Sequence, residues 1–248
     1  MGHDQSLAAV RARIIDCERC TRLREYCRRI GREKRAAYRQ DTYWAKPVPG
    51  FGDPAARIAL VGLAPAAHGA NRTGRNFTGD GVGGSGDFLM AALFANGLAN
   101  QPFSRDANDG LTLRDAWIAA AVRCAPPDNK PTPAEIANCA SHLHDELAAL
   151  PNLRVYVALG RIAFDACRRL IEARHGALQP KPFFEHGAVF RVAVGLSLVA
   201  SYHPSRQNTN TGRLTPAMLR TVFKRAVSEA ARVKFEVGSF APNLEARS

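Results

Sequence analysis

The stretch Ile58-Ala59-Leu60-Val61-Gly62-Leu63-Ala64-Pro65 runs apolar without interruption and then stops at a proline. An apolar run with no polar alternation suits a strand buried on both faces, as strands of parallel sheets are. Beyond it lies a long Gly- and Asn-rich loop that reaches Gly86. Working outward, strand and helix signals alternate. Asp87 to about Asn96 predicts a helix, and Trp117 to Val122 a buried strand. Pro133 to Leu150 predicts a helix opened by Thr132, a good capping residue. A strand from Val155 to Leu159 and a helix from Gly160 to Ala173 follow. Val189–Val194 and Leu196–Ser201 predict two more strands, and Thr215–Val233 a last helix. This order predicts an α/β fold with a mainly parallel sheet covered on both faces. Ligands of such sheets bind beyond the carboxyl ends of the strands. The two most unusual loops, Ala64–Gly86 and Tyr202–Leu214, both follow strands and are expected to face one crevice.

Upstream, Ser6 to about Arg39 reads as helical and basic. The segment from Tyr43 to Asp53 holds two prolines and two glycines and predicts a structured loop. A chain of 248 residues, 46% of them hydrophobic, fits one large domain. No apolar run approaches the ~20 residues that a membrane span needs. Met1–Gln5 is polar with no signal-peptide core behind it, so a cytoplasmic protein is expected. The formal net charge of +12 points to a polyanionic partner. Eight basic residues fall between Arg22 and Arg39, Arg28 and Arg29 among them, opposed by Glu25 and Glu33. Tyr26 and Tyr38 are interleaved. Such a stretch either neutralises phosphates or forms a solvated helix face.

The six cysteines include a C-x-x-C pair, Cys17 and Cys20, and two more 15 residues apart, Cys124 and Cys139. These four make a plausible thiolate set. Disulfides do not suit a reducing cytosol. Zinc and a [4Fe–4S] cluster both take four thiolates, and spacing alone leaves that choice open. Cys27 and Cys167 read as ordinary buried thiols.

The loop after the first strand continues His68-Gly69-Ala70-Asn71-Arg72-Thr73-Gly74-Arg75-Asn76-Phe77-Thr78-Gly79-Asp80. It is neither a Walker A loop nor a dinucleotide fingerprint. It closely resembles the first motif of the family 5 (type B) uracil-DNA glycosylases, a GLAPA followed by HGxNRTGRxFTGD. Ser201-Tyr202-His203-Pro204-Ser205 is similar to that family's HPS motif, and Cys124-Ala125-Pro126-Pro127 to its cluster-bearing segment. The Tyr43–Asp53 loop has its counterpart there too.

The resemblance implies a three-layer α/β/α sandwich. It implies a structural [4Fe–4S] cluster held by Cys17, Cys20, Cys124 and Cys139, the first two of them in a basic segment of about residues 6–46. The rest is one glycosylase domain with a tail from about 235 to 248. It also implies removal of uracil and other deaminated bases from double-stranded DNA, in the bacterial nucleoid. A monomer is expected, because one active site suffices and no heptad seam appears. Base removal needs an extruded base, a stabilised leaving group and support for a sugar cation. His203 is the expected donor to the base, and Asp80 the carboxylate, with Asp87 in reserve. Phe77 is the expected stacking plate, with Gly62, Ala64 and Ala120 around the base. Arg72 and Arg206 join Arg28 and Arg29 as candidate DNA contacts, though Arg72 equally suits holding the loop. Related type-4 enzymes place Asn where Ala120 stands, so hypoxanthine is expected beside uracil. The rival reading is a non-catalytic nucleic-acid binder that uses the cluster as a scaffold.

Overall fold

A computed structural model describes residues 6–236. Six strands form one sheet in the order β1-β3-β2-β4-β6-β5. The inner four, β2 (Ile58–Gly62), β3 (Ala116–Ala120), β4 (Val155–Leu159) and β6 (Leu196–Ser201), run parallel. The edge strands β1 (Phe51–Gly52) and β5 (Val189–Ala193) are antiparallel to their neighbours. The sheet is therefore mainly parallel.

Its two faces share the apolar runs by simple alternation. Ile58 and Leu60 with Val155, Val157 and Leu159 face one core, which α4 (Ser85–Phe94) and α8 (Pro216–Glu236) cover. Ala59, Val61, Tyr156 and Ala158 face the other, under α5 (Pro133–Ala148) and α6 (Arg161–His175). Helices on both faces make the expected α/β/α layers. The cap on α5 is reciprocal: Thr132 Oγ1 accepts from the Glu135 N–H at 3.2 Å, and Glu135 Oε2 accepts from the Thr132 N–H at 2.7 Å.

The N-terminal segment differs from the expected continuous pattern. Two helices, α1 (Leu7–Ile15) and α2 (Thr21–Glu33), flank a break that contains Cys17 and Cys20. Two short helices, α3 (Ala70–Thr73) and α7 (Arg206–Asn210), sit inside the two unusual loops. Both loops, and the segment carrying Cys124, leave carboxyl ends of parallel strands, so they gather along one edge. The tail from about 235 lies almost wholly outside the described residues.

Candidate active site and cysteine corner

Gly62 ends β2 opposite Ala120, which ends β3. A side chain on Gly62 would meet the Phe77 ring at 3.0 Å, so a bare backbone is what lets that ring close on the strand. Phe77 itself has φ +51°, a left-handed conformation unfavourable for an aromatic residue, which the loop must impose. Its ring stacks on His203, with centroids 5.7 Å apart and planes 29° apart. His203 follows β6, and burial lowers its pKa to about 4, so the imidazole is neutral at physiological pH.

Asp80 borders an open cavity of about 440 Å³, together with Ala66, His68, Gly69 and Arg206. A side chain on Gly69 would collide with Asp80 Oδ1. Burial is the largest influence on this carboxyl and raises its pKa to about 6, against the pull of Arg206 and Arg72. Asp87 is otherwise engaged: its Oδ2 accepts from the Gly83 N–H at 2.9 Å and from Arg105 at 2.8 Å. Phe77 and His203 are not among the cavity's walls. A second cavity, about 730 Å³ between α5 and α6, is lined mainly by small and apolar side chains and by none of the candidate residues.

The polar residues of the loop hold it in place. Arg72 donates to the carbonyls of His68 and Gly79, pairs with Asp41 at 2.6 Å, and lies 4.0 Å from the Tyr38 ring centre. The geometry thus gives Arg72 the part of a loop clamp. Arg75 pairs with Asp109 at 2.7 Å with both side chains nearly buried. Asn76 donates to the Pro49 carbonyl, and Asn71 to those of Ala67 and Cys27. The loop from Tyr43 packs alongside: the Trp44 and Ala45 N–H groups donate to Arg72 and Asn71 carbonyls.

Sequence reasoning missed several residues of the cavity mouth, among them Tyr38, His68 and Asn129. Asp128 and Asn129 both adopt positive φ, +53° and +57°. Asn and Asp tolerate that region best, and the pair after two prolines was the available signal.

Cys17, Cys20, Cys124 and Cys139 line one small cavity with Arg24 and Asn138. The Arg123 N–H donates to Cys139 Sγ at 3.3 Å, and Asn138 Nδ2 approaches Cys20 Sγ at 3.9 Å. Among the described residues, no three His, Cys, Asp or Glu side chains are gathered closely enough to hold a single metal ion. Cys27 and Cys167 are fully buried. Arg22 ties α2 to α5 through both carboxylate oxygens of Glu135, at 2.8 and 2.7 Å. Arg28 pairs with Glu18, and Arg29 with Glu33, both in the open.

Residues 49–227 match the uracil DNA glycosylase superfamily, and the chain belongs to it. A type-5 uracil-DNA glycosylase of Thermus thermophilus is 50% identical over 220 residues, 89% of this chain and 94% of that protein. One from Pyrobaculum aerophilum is 46% identical over 218 residues, 88% of this chain and 91% of that protein. A type-4 enzyme of Archaeoglobus fulgidus is 31% identical over 163 residues, 64% of this chain and 70% of that protein. Within the superfamily the chain's place is the type-5 branch, and it is an enzyme of the glycosylase class. Among the described residues no helix is long and apolar enough to cross a membrane.

Proposed function

We propose that this enzyme excises uracil and hypoxanthine from double-stranded DNA in base excision repair, acting as a monomer at the nucleoid. The observation that carries the reading is the presence, on one sheet edge, of a half-buried carboxyl with a raised pKa and a neutral imidazole stacked on Phe77. The target base leaves the duplex and stacks on Phe77. A base on that ring face takes the place of the His203 imidazole, which then turns to the base edge. A neutral imidazole donates its N–H to the carbonyl oxygen as negative charge builds there, without protonating the base. Asp80 is ionised above about pH 6, supports the sugar cation and orients the attacking water. Arg28, Arg29 and Arg206 are exposed and suited to phosphates.

Ala120 and Ala64 present no hydrogen-bonding side chain to a base. A pocket that pairs a base edge with buried groups rejects analogues strongly, because wrong partners leave those groups unsatisfied. Stacking and one His donor discriminate less, which supports a purine such as hypoxanthine beside uracil. The four cysteines line one small cavity and supply the four thiolates that a [4Fe–4S] cluster takes. N–H donors reach two of the sulfurs. Bound there, the cluster would hold α2 and its arginines against the sheet.

Strand nicking by alkali, on matched duplexes carrying one uracil or one hypoxanthine, tests the reading. Both should give abasic product, and Ala120→Asn should shift the rate ratio toward uracil by about tenfold. A parent enzyme inert on hypoxanthine refutes the breadth; absence of product from uracil refutes the substrate assignment itself.

A further inference from the structure

We infer that Arg24 is the buried counter-charge of the cysteine corner, the side chain whose positive charge stabilises a [4Fe–4S] cluster there. The inference rests on the cluster reading. A [4Fe–4S] core with four thiolate ligands is a dianion in its ordinary oxidised state. A buried dianion is costly unless positive charge lies close by. Three arginines line the small cavity that holds Cys17, Cys20, Cys124 and Cys139: Arg19, Arg24 and Arg123.

The three are not equivalent. Arg123 is 1% exposed, but its charge is cancelled: its Nη1 donates to Glu146 Oε2 at 2.8 Å, and that carboxylate is equally buried. Arg19 stands in the open, where water screens it. Its Nη1 donates to Ser141 Oγ at 2.7 Å and to the Asn138 carbonyl at 3.2 Å, neither of them charged. Arg24 is 3% exposed, and its Nη1 donates to the Ala45 carbonyl at 3.1 Å. Among the described residues its carboxylate partner is Glu18, 3.4 Å from Nε. The Glu18 side chain is 53% exposed and is held more closely by Arg28, at 2.6 Å. Arg24 therefore carries into the corner a positive charge that a solvated, shared carboxylate offsets only weakly. It acts on the Cys124 sulfur, and on that of Cys27, through its charge and a hydrogen bond.

The helix puts it there. Cys20 is the N-cap of α2, and Arg24 follows four residues later, on the same face. The positive end of α2 adds to the field at Cys20. Arg24 also ties the corner outward. Ala45, whose carbonyl it holds, donates its own N–H to the Asn71 carbonyl in the loop that carries Phe77. One side chain thus serves the thiols and the support of that loop together.

The test compares anaerobically prepared parent, Arg24→Met, Arg24→Gln and Arg24→Lys, all without DNA. One reading is the midpoint potential, from a spectroelectrochemical titration of the visible absorption. The other is the rate at which a chelator strips the iron. Arg24→Met removes the charge at similar bulk; it should shift the potential in the negative direction and release iron about tenfold faster. Arg24→Gln, which can still donate to Ala45, should do the same. Arg24→Lys keeps the charge and should restore most of both readings. Arg19→Met, at an exposed position, should change neither. Uncharged variants with the parent's potential and iron-release rate overturn the inference. So does an Arg24→Lys protein as impaired as Arg24→Met, which would reduce Arg24 to packing. A parent that binds no iron removes the cluster reading itself, and the inference with it.

Discussion

The loop from His68 to Asp80 and the corner formed by Cys17–Cys27 and Cys124–Cys139 hang from the same sheet edge, but they are held differently. The loop is fixed by many modest bonds: two arginine ion pairs, asparagine bonds to main-chain carbonyls, and the neighbouring chain from Tyr43. The corner has a small apolar cluster, Leu23, Cys27, Val122 and Ala125, four thiols around one cavity, and a bidentate Arg22–Glu135 pair. Many weak ties let a loop hold a strained Phe77 and a half-buried Asp80 while tolerating the loss of any one tie. A corner centred on one cluster, as proposed, would have no such graded response. Position in the first region is distributed, and in the second the proposal makes it concentrated.

The sharpest way to break this contrast is Cys139→Ser. If the corner depends on one cluster, the variant should lose its iron and brown colour, and DNA affinity should fall at least tenfold as the basic segment loosens. Iron analysis and a DNA titration at fixed salt check this. By contrast, a loop tie such as Asn76 should be removable with a small effect. Retained iron and affinity in Cys139→Ser would put the corner on the same footing as the loop.

Asp80→Asn sharpens the loop's side of the comparison. Base removal should slow by roughly 10²-fold, the scale for losing a charge stabiliser. In the parent, the rate should climb with pH through about 6 as Asp80 ionises. The variant should lack that rise. Stability should move the other way. Burial raises this carboxyl from 3.8 to about 6, so the folded state holds the proton more tightly than the unfolded chain. The resulting stabilisation is complete below pH 3.8 and is lost as pH rises through 6. At pH 7 the parent therefore carries an unfavourable, partly desolvated charge, and Asn should gain on the order of 2 kcal/mol. Thermal melts at pH 7 should show a higher Tm for the variant, and the gap should close near pH 3.5. A slow enzyme with no gain in Tm would mean that Arg72 and Arg206 already compensate the charge.

The smallest expected effect belongs to the exposed arginines of α2. Replacing Arg28 and Arg29 with Ala should flatten the log–log dependence of DNA affinity on salt by about one to two units. An unchanged slope would assign that face to solvent and limit the corner to a structural part.

Much of this was legible in the sequence because burial on both faces leaves continuous apolar runs, as in Ile58–Gly62 and Val155–Leu159. The α5 cap was legible because Thr132 sits just before a proline and three residues before Glu135. The break at Cys17–Cys20 was hidden, since the residues on either side have good helical character and neither proline nor glycine marks the stop. β1 was hidden in a loop rich in proline and glycine, because two residues pairing with β3 leave no periodicity. The α2 arginines looked equivalent in composition. Only the fold shows that Arg24 is buried against Ala45 and Glu18 while Arg28 and Arg29 face outward. The hold of Arg72 on its loop likewise showed only in its partners.

The stacked rings of Phe77 and His203 have a consequence for how the enzyme meets undamaged DNA. In the absence of a base the seat is already taken, by the side chain that would later grip the base. Every nucleotide that swings outward must evict the same tenant. On the proposed roles, adenine, which offers His203 no carbonyl, is turned away by the returning imidazole. Scrutiny of the genome then begins at a closed door, and refusing thymine, which carries the same carbonyls as uracil, falls to contacts other than this exchange.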